Sequence, residues 1–241
     1  ATAALSAALL LIPAPGRGQA PAPAPANADQ KEKALRAKRI AQNFEANARV
    51  LTIFDRQGKV AATVGEPAIY GNNPVFSPDR TRLAVIKRDL ESDTENLWVL
   101  DVTTGKGARV TSNTQTRRQE QVQRPVWSPD GSQVAYVALR GGSFGLYRKA
   151  SNGAGTEELL YRHPGGAMLL SDWSMDGRFL SFSTTDLSGG TLYALPLAGV
   201  GERKPIEVLR SESQVGASRA LGGPRLSPDG GRVAVAIAEQ E

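Results

Sequence analysis

A short turn motif that occurs four times is the feature of this sequence that most constrains its fold. The motif is an apolar residue followed by Ser-Pro-Asp and usually Gly, and Met175 replaces the proline in the third copy. Its serines are Ser77, Ser128, Ser174 and Ser227, which lie 51, 46 and 53 residues apart. Self-similarity with a period of roughly 50 residues indicates a repeat architecture. We therefore expect successive copies of one small structural unit.

The residues around each motif predict two strands joined by a tight turn. A short apolar run precedes the motif, and an alternating run follows it, as in residues 82–86 and 133–137. Such runs, bounded by Pro, Gly and Asp, are typical of strands. Proline presets φ, aspartate bonds nearby backbone N–H groups, and glycine accepts a positive φ. We assign this structural turn role to Ser77, Asp79, Ser128, Asp130, Ser174, Asp176, Ser227 and Asp229.

A second strand pair completes each unit. Residues 96–101, 145–148 and 191–195 are apolar runs that lead into glycine-containing turns and then into further short runs. Four short strands in about 50 residues are typical of a β-propeller blade. The expected fold is all-β, a propeller of four-stranded blades preceded by a short helix. It has three complete blades plus two half blades and forms part of a larger propeller.

At these residues the chain resembles the TolB-like propeller repeat family. The mark of that family is an aromatic-Ser-Pro-Asp-Gly turn between the first two strands of a blade. It is followed by a third strand that residues 96–101 and Gly105 match here. The resemblance covers roughly residues 50–241. It implies the fold more strongly than the function, because propellers carry many unrelated functions.

The N-terminal region has a different composition from the repeats. Residues 1–12 are rich in Ala and Leu, and Pro13 ends the run. The run is too short to span a membrane and fits the apolar region of a secretory signal. Residues 26–28, Ala-Asn-Ala, form a possible cleavage site. A truncated membrane anchor and an Ala/Pro-rich linker are the alternatives. We assign residues 1–28 to a signal peptide and a Pro/Ala-rich spacer.

Residues 29–48 are expected to form a helical segment, because Ala37, Ile40 and Phe44 recur at helical spacing. The propeller is then assigned to residues 49–241. It starts with an outer half blade and ends after the second strand of its last repeat. Either the C-terminus is truncated and more blades follow, or the two halves close a four-bladed ring. We expect truncation, since TolB-like propellers usually have about six blades.

The core is expected to lie in layers between consecutive blades. Phe76, Trp127 and Trp173 occupy the same position before the turn in three repeats, and we assign them to these layers. An alternative is a stacking site for sugars or peptides, which would need these rings to be exposed. A complete ring would also protect the strand edges that an open arc leaves exposed.

Composition removes several classes of function. The chain has 29 basic and 24 acidic residues, scattered without a basic stripe, and this argues against nucleic-acid binding. It has no cysteine and one histidine, which excludes disulfides and argues against a zinc site. The acidic loop at residues 89–95 lacks the pattern of an EF-hand. We therefore expect no metal and no cofactor.

A nucleophile-like motif and a single histidine are the candidate catalytic residues. Residues 141–145 match G-x-S-x-G, but that motif requires a helix after the serine. A strand follows here, so we interpret the segment as a hairpin tip. His163 lies in a connection between blades. We expect no catalytic constellation in this chain and no enzymatic activity of its own.

The central channel and the loops of one face are the usual binding places of a propeller. The first strand of each blade lines the channel. Asn73, Arg124, Asp172 and Arg225 flank or lie in these strands. They are the candidate ligand-binding residues, and the two arginines against Asp172 would make a mixed, mildly positive channel mouth.

The functional expectation is a non-catalytic, exported propeller that binds a protein or a cell-envelope partner in the periplasm or another extracytoplasmic space. The TolB-like resemblance implies peptidoglycan-associated lipoprotein as one such partner. The alternative is a gating or sensor propeller of a prolyl oligopeptidase-type peptidase or a membrane-anchored kinase, with the catalytic domain outside this chain. A carbohydrate-active propeller is a third possibility, but only Asp172 is a candidate for its carboxylates.

Overall fold

The computed structural model describes residues 26–71, 73–116, 119–186, 189–199, 203–211, 224–229 and 231–235. Most of the predicted signal and spacer, residues 1–25, lies outside this range, as do Gly230 of the fourth turn and the last six residues. The chain divides into two compact units, Ala1–Arg39 and Ile40–Glu241. All of the strands belong to the second unit.

One helix precedes the strands. Helix α1 is Ala26–Asn47, so it begins three residues before the expected start and includes the Ala-Asn-Ala site. Its described side chains are exposed except for the half-buried Ile40, and Leu35 and Phe44 are exposed apolar residues. Asp29 in the first turn complements the positive end of the helix dipole. No helix in the described part of the chain has the length and hydropathy of a membrane span.

The strands form separate antiparallel sheets, and the expected all-β fold with four-stranded blades is confirmed. The first sheet contains β1 (Arg49–Phe54), β2 (Val60–Tyr70), β3 (Val75–Phe76), β4 (Arg82–Asp89), β5 (Thr94–Asp101) and β6 (Gly107–Arg109). The second contains β7 (Gln121–Trp127), β8 (Gln133–Arg140), β9 (Ser143–Ala150) and β10 (Glu158–Arg162). The third contains β11 (Ala167–Trp173), β12 (Phe179–Asp186), β13 (Gly189–Pro196) and β14 (Ile206–Ser211). The short β15 (Arg225–Leu226) and β16 (Val233–Ala234) form a fourth sheet, and none of these sheets closes into a ring within the described residues.

Strand β2 is long enough to pair with two other strands. Its pairing with β1 extends to Ala68, and its last two residues pair with β4, where Tyr70 lies opposite Lys87. Gly65, inside the strand, has φ of +72°, a left-handed conformation that favours glycine. The strand therefore leaves the β1–β2 hairpin and begins the innermost part of the first blade.

The core consists of three apolar layers. The first packs the β1–β2 hairpin against the rest of the first sheet, which is the first blade. The second lies between the first and second blades, and the third lies between the second and third blades. Trp127 and Trp173 are buried in the last two layers, as expected. The assignment of Phe76 to the core was wrong, because its side chain is 44% exposed. Its ring belongs to none of the three layers.

The repeated turns share one hydrogen-bond pattern. The serine hydroxyl donates to the aspartate of the same turn over 2.5–2.6 Å in all four copies. The same hydroxyl accepts the backbone N–H five residues later, at Arg82, Gln133, Phe179 and Arg232. Met175 can replace the proline because none of these bonds uses that residue. Arg80, in the place of the glycine, adopts a φ of +63°.

These bonds lower the pKa of the turn aspartates. The serine hydroxyl is the main cause, and the next is a backbone N–H donor, from Thr81, Ser132 and Arg178 respectively. Together they bring the pKa of Asp79, Asp130 and Asp176 to about 2. The charged form is therefore favoured in the folded state. The stabilisation is complete above the unfolded-state pKa of about 4 and is lost as the pH falls through about 2.

The substitution Asp130→Asn tests this linkage. We expect a lower melting temperature than the wild type at pH 7, and we expect the difference to shrink as the pH falls from about 4 to about 2. The reason is that only the wild type loses a charge-assisted bond over this range. Thermal unfolding followed by circular dichroism at five pH values measures the effect. A difference that stays constant down to pH 2 would contradict the assignment.

Candidate functional site

The first strands of successive repeats surround one pocket, which we call the inner pocket. Its volume is about 440 Å³. Three of the four candidate residues, Asn73, Arg124 and Arg225, line it together with Phe76 and Ser171. Residues from all four repeats thus meet at one place, although successive repeats are about 50 positions apart in the chain.

Asp172, the fourth candidate, is beside the inner pocket but does not line it. One of its carboxylate oxygens accepts the backbone N–H of Leu226 at 3.0 Å, and the other accepts its own neighbour, the N–H of Trp173, at 3.0 Å. The guanidinium of Arg225 lies 3.8 Å from the same carboxylate. Asp172 therefore connects β11 to β15 and is already engaged in structural bonds.

The rim of the inner pocket is positively charged. Arg124 is exposed and makes no ion pair with the described residues. The side chain of Arg225 is 75% exposed, and its contact with Asp172 is long. Guanidinium groups bind carboxylates through paired N–H donors. The geometry is therefore suited to an anionic group that enters from solvent.

The backbone at the inner pocket is strained at two positions. Asn73 has φ of +68° and Arg124 has φ of +55°, and a proline follows each of them. A left-handed conformation is unusual for such residues and is often found at ligand sites. In β7, the register with β8 shifts between Gln123 and Val126, which is the position of a β-bulge. Bulges redirect side chains at sheet edges and beside functional sites.

The other sequence candidates lie elsewhere. Gly141 and Gly142 have positive φ at the tip of the β8–β9 hairpin, and Ser143 begins the next strand, as the hairpin interpretation requires. The ring of His163 lies 6.3 Å from that of Tyr161, between centroids. Within the described residues, no group of three histidine or acidic side chains is arranged to hold a metal.

The carboxylates of the acidic loop are used locally. Asp89 accepts the backbone N–H groups of Glu91 and Ser92 at 2.8 and 2.9 Å. Asp93 pairs with Arg88 at 2.6 Å. Bonds within the loop and to the adjoining strand thus engage both of these carboxylates.

Sequence reasoning missed Phe76 as a pocket residue, because its position in the repeat is that of the core tryptophans. It also missed a second cavity on the first blade, which contains Asn96 and Asn113. Those two residues come from a strand and from the segment after the next strand. Only the pairing of the strands brings them together, and no local motif marks them.

No family model matches this chain. It is 27% identical over 141 residues to the uncharacterized peptidase YuxL of Bacillus subtilis, which covers 56% of this chain and 20% of that protein.

Two solved structures are similar to the fold. TolB from Acinetobacter baumannii matches with a TM-score of 0.59 and 19% identity, over 78% of this chain and 46% of TolB. The tricorn protease matches with a TM-score of 0.52 and 16% identity, over 72% of this chain and 15% of that one. The chain thus spans less than half the length of each of these relatives. At the level of fold, it is a β-propeller of the kind found in TolB and in peptidases.

Proposed function

We propose that this chain is a non-catalytic propeller module that binds a protein partner, and that the partner places an acidic segment in the inner pocket. One observation carries the proposal. Arg124 and Arg225, from the second and fourth repeats, line the same pocket, and the carboxylate nearest to them is held by backbone N–H groups. The pocket thus presents more positive than negative charge to an incoming group.

The size of the inner pocket supports a side-chain ligand. A volume of about 440 Å³ lies within the range of ordinary small-ligand sites. Phe76, Val75 and Val126 give it an apolar wall beside the two arginines. An acidic side chain flanked by apolar residues, presented on a loop of a partner, would satisfy both parts. Exposed Phe76 would then be covered only in the complex.

The location and the class of partner rest on the N-terminal sequence and on the resemblance. The apolar run at residues 1–12 supports export, and we propose an extracytoplasmic location. The TolB-like resemblance supports a cell-envelope protein as the partner, with peptidoglycan-associated lipoprotein as the first protein to test. These two points are independent of the pocket chemistry.

Site-specific crosslinking tests the proposal. A photo-crosslinking amino acid in place of Phe76 is expected to capture one partner in intact cell envelopes, through a peptide that contains Asp or Glu. Arg124→Glu should reduce the yield about tenfold or more, because it replaces attraction by repulsion at the carboxylate. The control is Arg56→Glu, on the exposed turn of the β1–β2 hairpin. Equal yields from the two variants, or no captured protein, would refute it.

A second candidate function is supported by the similarity to YuxL, an uncharacterized peptidase. In that case the chain is a gating propeller, and a catalytic domain lies in the same polypeptide. A membrane-anchored kinase with a sensor propeller is the related alternative. The reading frame on both sides of residues 1–241 separates these functions: a hydrolase or kinase pattern supports gating, and further Ser-Pro-Asp-Gly repeats alone support the binding module.

A further inference from the structure

One face of the first blade is polar where the corresponding face of the second blade is apolar. Lys87 of β4 lies opposite Asn96 of β5, and the same pairing in the second blade joins Ala138 to Gly145. Ala138 is buried in the apolar layer between the two blades. In the first blade, a lysine and a buried asparagine therefore occupy the positions that two small residues occupy in the second blade.

A cavity of about 450 Å³ occupies this polar face, and we call it the blade-one pocket. Its floor includes Asn96 and Trp98 of β5, and its walls include Lys87, Arg109 and Asn113. It shares no lining residue with the inner pocket. A proposal about its ligand therefore stands or falls separately from the proposed function.

The floor of the blade-one pocket contains a buried hydrogen-bond network in which one acceptor has no partner among the described residues. The side-chain oxygen of Asn96 accepts the hydroxyl of Thr111 at 3.1 Å and the backbone N–H of Asn113 at 2.7 Å. The side-chain amide of Asn113 donates to the carbonyl of Glu95 at 2.8 Å, and this fixes its orientation. Asn113 is 3% exposed, and its Oδ1, which is closed to solvent, has no partner among the described residues.

An unpaired buried acceptor calls for an explanation. Leaving such a group without a donor costs about 1–3 kcal/mol. Because the amide nitrogen of Asn113 is already used, the free group can only accept a hydrogen bond. The missing partner is therefore a donor, such as a hydroxyl.

The rim of the blade-one pocket adds positive charge. The ammonium of Lys87 lies 4.8 Å from the centre of the Trp98 ring. Arg109 donates its Nε–H to the carbonyl of Thr111 at 2.9 Å, which positions the guanidinium and leaves its terminal N–H groups available. Arg88 also lines the cavity but is paired with Asp93. Lys87 and Arg109 are thus the cations suited to hold an anion here.

Asp89 is the acidic residue of the lining, and its Oδ1 accepts two backbone N–H groups of its own loop. Its remaining oxygen can accept a further hydroxyl. The pocket therefore combines two cations, one free amide acceptor, one partly free carboxylate and an indole ring. A ligand that fits must carry an anionic group and hydroxyl donors together.

We propose that the blade-one pocket binds an acidic monosaccharide of the hexuronic acid class. Its carboxylate would lie between Lys87 and Arg109, and one hydroxyl would donate to Asp89. A second hydroxyl would donate to Oδ1 of Asn113 after that side chain turns and opens the atom to the pocket. Other small anions fit less well. Inorganic phosphate lacks the ring that Trp98 would contact, and acetate has no hydroxyl for Asn113. A free amino acid would bring an ammonium next to two cations.

Titration of the whole 241-residue chain with D-glucuronate, D-glucose, acetate and inorganic phosphate tests this. We expect glucuronate to bind in the millimolar range by calorimetry and the other three to bind at least about tenfold more weakly. Glucuronate should also change the tryptophan fluorescence, and Trp98→Phe should abolish that change. The other two tryptophans, Trp127 and Trp173, are buried in the layers between blades.

Variants of Lys87 test whether its positive charge binds the carboxylate of glucuronate. Lys87→Met should weaken glucuronate binding about tenfold or more, whereas Lys87→Arg, which keeps the charge, should restore most of it. Lys106→Met, on the exposed turn after β5, should leave the affinity unchanged. Circular dichroism establishes that each variant is folded. Glucuronate binding no tighter than that of phosphate or glucose, no saturable binding at all, or full affinity in folded Lys87→Met would overturn the proposal.

Discussion

Replacement of Trp127 by alanine is expected to lower the free energy of unfolding by about 3–5 kcal/mol. Trp127 is 7% exposed and lies in the layer between the first and second blades. Its indole N–H donates to the carbonyl of Val75 at 2.9 Å, and the guanidinium of Arg82 lies 4.9 Å above its ring. The substitution therefore opens a cavity, leaves a carbonyl without its donor and removes a cation–π contact.

Urea unfolding followed by circular dichroism measures this loss. The control is Phe54→Ala on β1, where the aromatic ring is 59% exposed and truncation should cost less than about 1 kcal/mol. Similar losses for the two variants would mean that the layer between the first two blades contributes no more than the surface does. The expected contrast follows from burial, since both substitutions remove an aromatic ring.

Arg82, on β4 of the first blade, also stabilises the contact between the first and second blades. Its guanidinium donates to the hydroxyl of Ser151 at 2.9 Å and to the carbonyl of Gly131 at 3.0 Å, both in the second blade. The repeat pattern could place Trp127 in the core, because its position recurs. It could not assign this role to Arg82, since the contacts depend on how two blades face each other.

The sequence predicted features that depend on neighbouring residues, and it failed where contacts between distant strands decide a residue's environment. The strand pairs and the turn bonds depend on residues within a few positions of each other, and the recurring motif carries that information four times. Phe76 has the local sequence pattern of the buried tryptophans, but its own side chain is 44% exposed. The end of β2 has no local signal in the sequence, because its last two residues are set by pairing with β4.

For the candidate sites, equivalence between repeats was the useful signal. Asn73 and Arg124 each stand four residues before the serine of their turn, Arg225 stands two residues before its serine, and all three line one pocket. Asp172 stands at the same distance from its serine as Arg225 but is bonded to the backbone of Leu226 instead. The positive φ of Asn73 and Arg124 has no signal in the sequence, since the following prolines alone predict extended backbone.

The blade-one pocket illustrates the opposite case. Its residues differ from those at equivalent positions in the second blade, so the repeat pattern predicts packing there and misses the cavity. Lys87 and Asn96 can be recognised as parts of one site only from the strand register, which places them opposite each other. In a repeat fold, a departure from the apolar pattern on a blade face is therefore informative, provided that the register is known.

The glycine in the turn after the third strand of a blade sets the distance to the preceding blade. In the second blade, Gly153 has φ of +80°, and a Cβ added there would lie 2.5 Å from the carbonyl oxygen of Arg109 in β6. In the first blade, Gly105 has φ of +68°, and its Cβ would lie 2.5 Å from the backbone nitrogen of Gly65. Both contacts are with backbone, which cannot move aside as a flexible side chain can.

Gly153→Ala is therefore expected to destabilise the protein by about 3 kcal/mol or more. The left-handed conformation costs about 1–2 kcal/mol for alanine, and the steric overlap adds a typical overpacking penalty of about 1–3 kcal/mol. The matched control is Gly155→Ala, two residues later, with φ of +71° and no atom within 4 Å of the added Cβ. It should show the conformational cost alone.

Urea unfolding of both variants separates the two costs, because their φ values are nearly the same. A Gly153→Ala loss at least about 1 kcal/mol larger than that of Gly155→Ala would assign the excess to contact between blades. Equal losses would mean that the turn moves away from β6 without penalty. In that case glycine would be required at this turn for its backbone conformation, and the spacing of the blades would depend on the apolar layers instead.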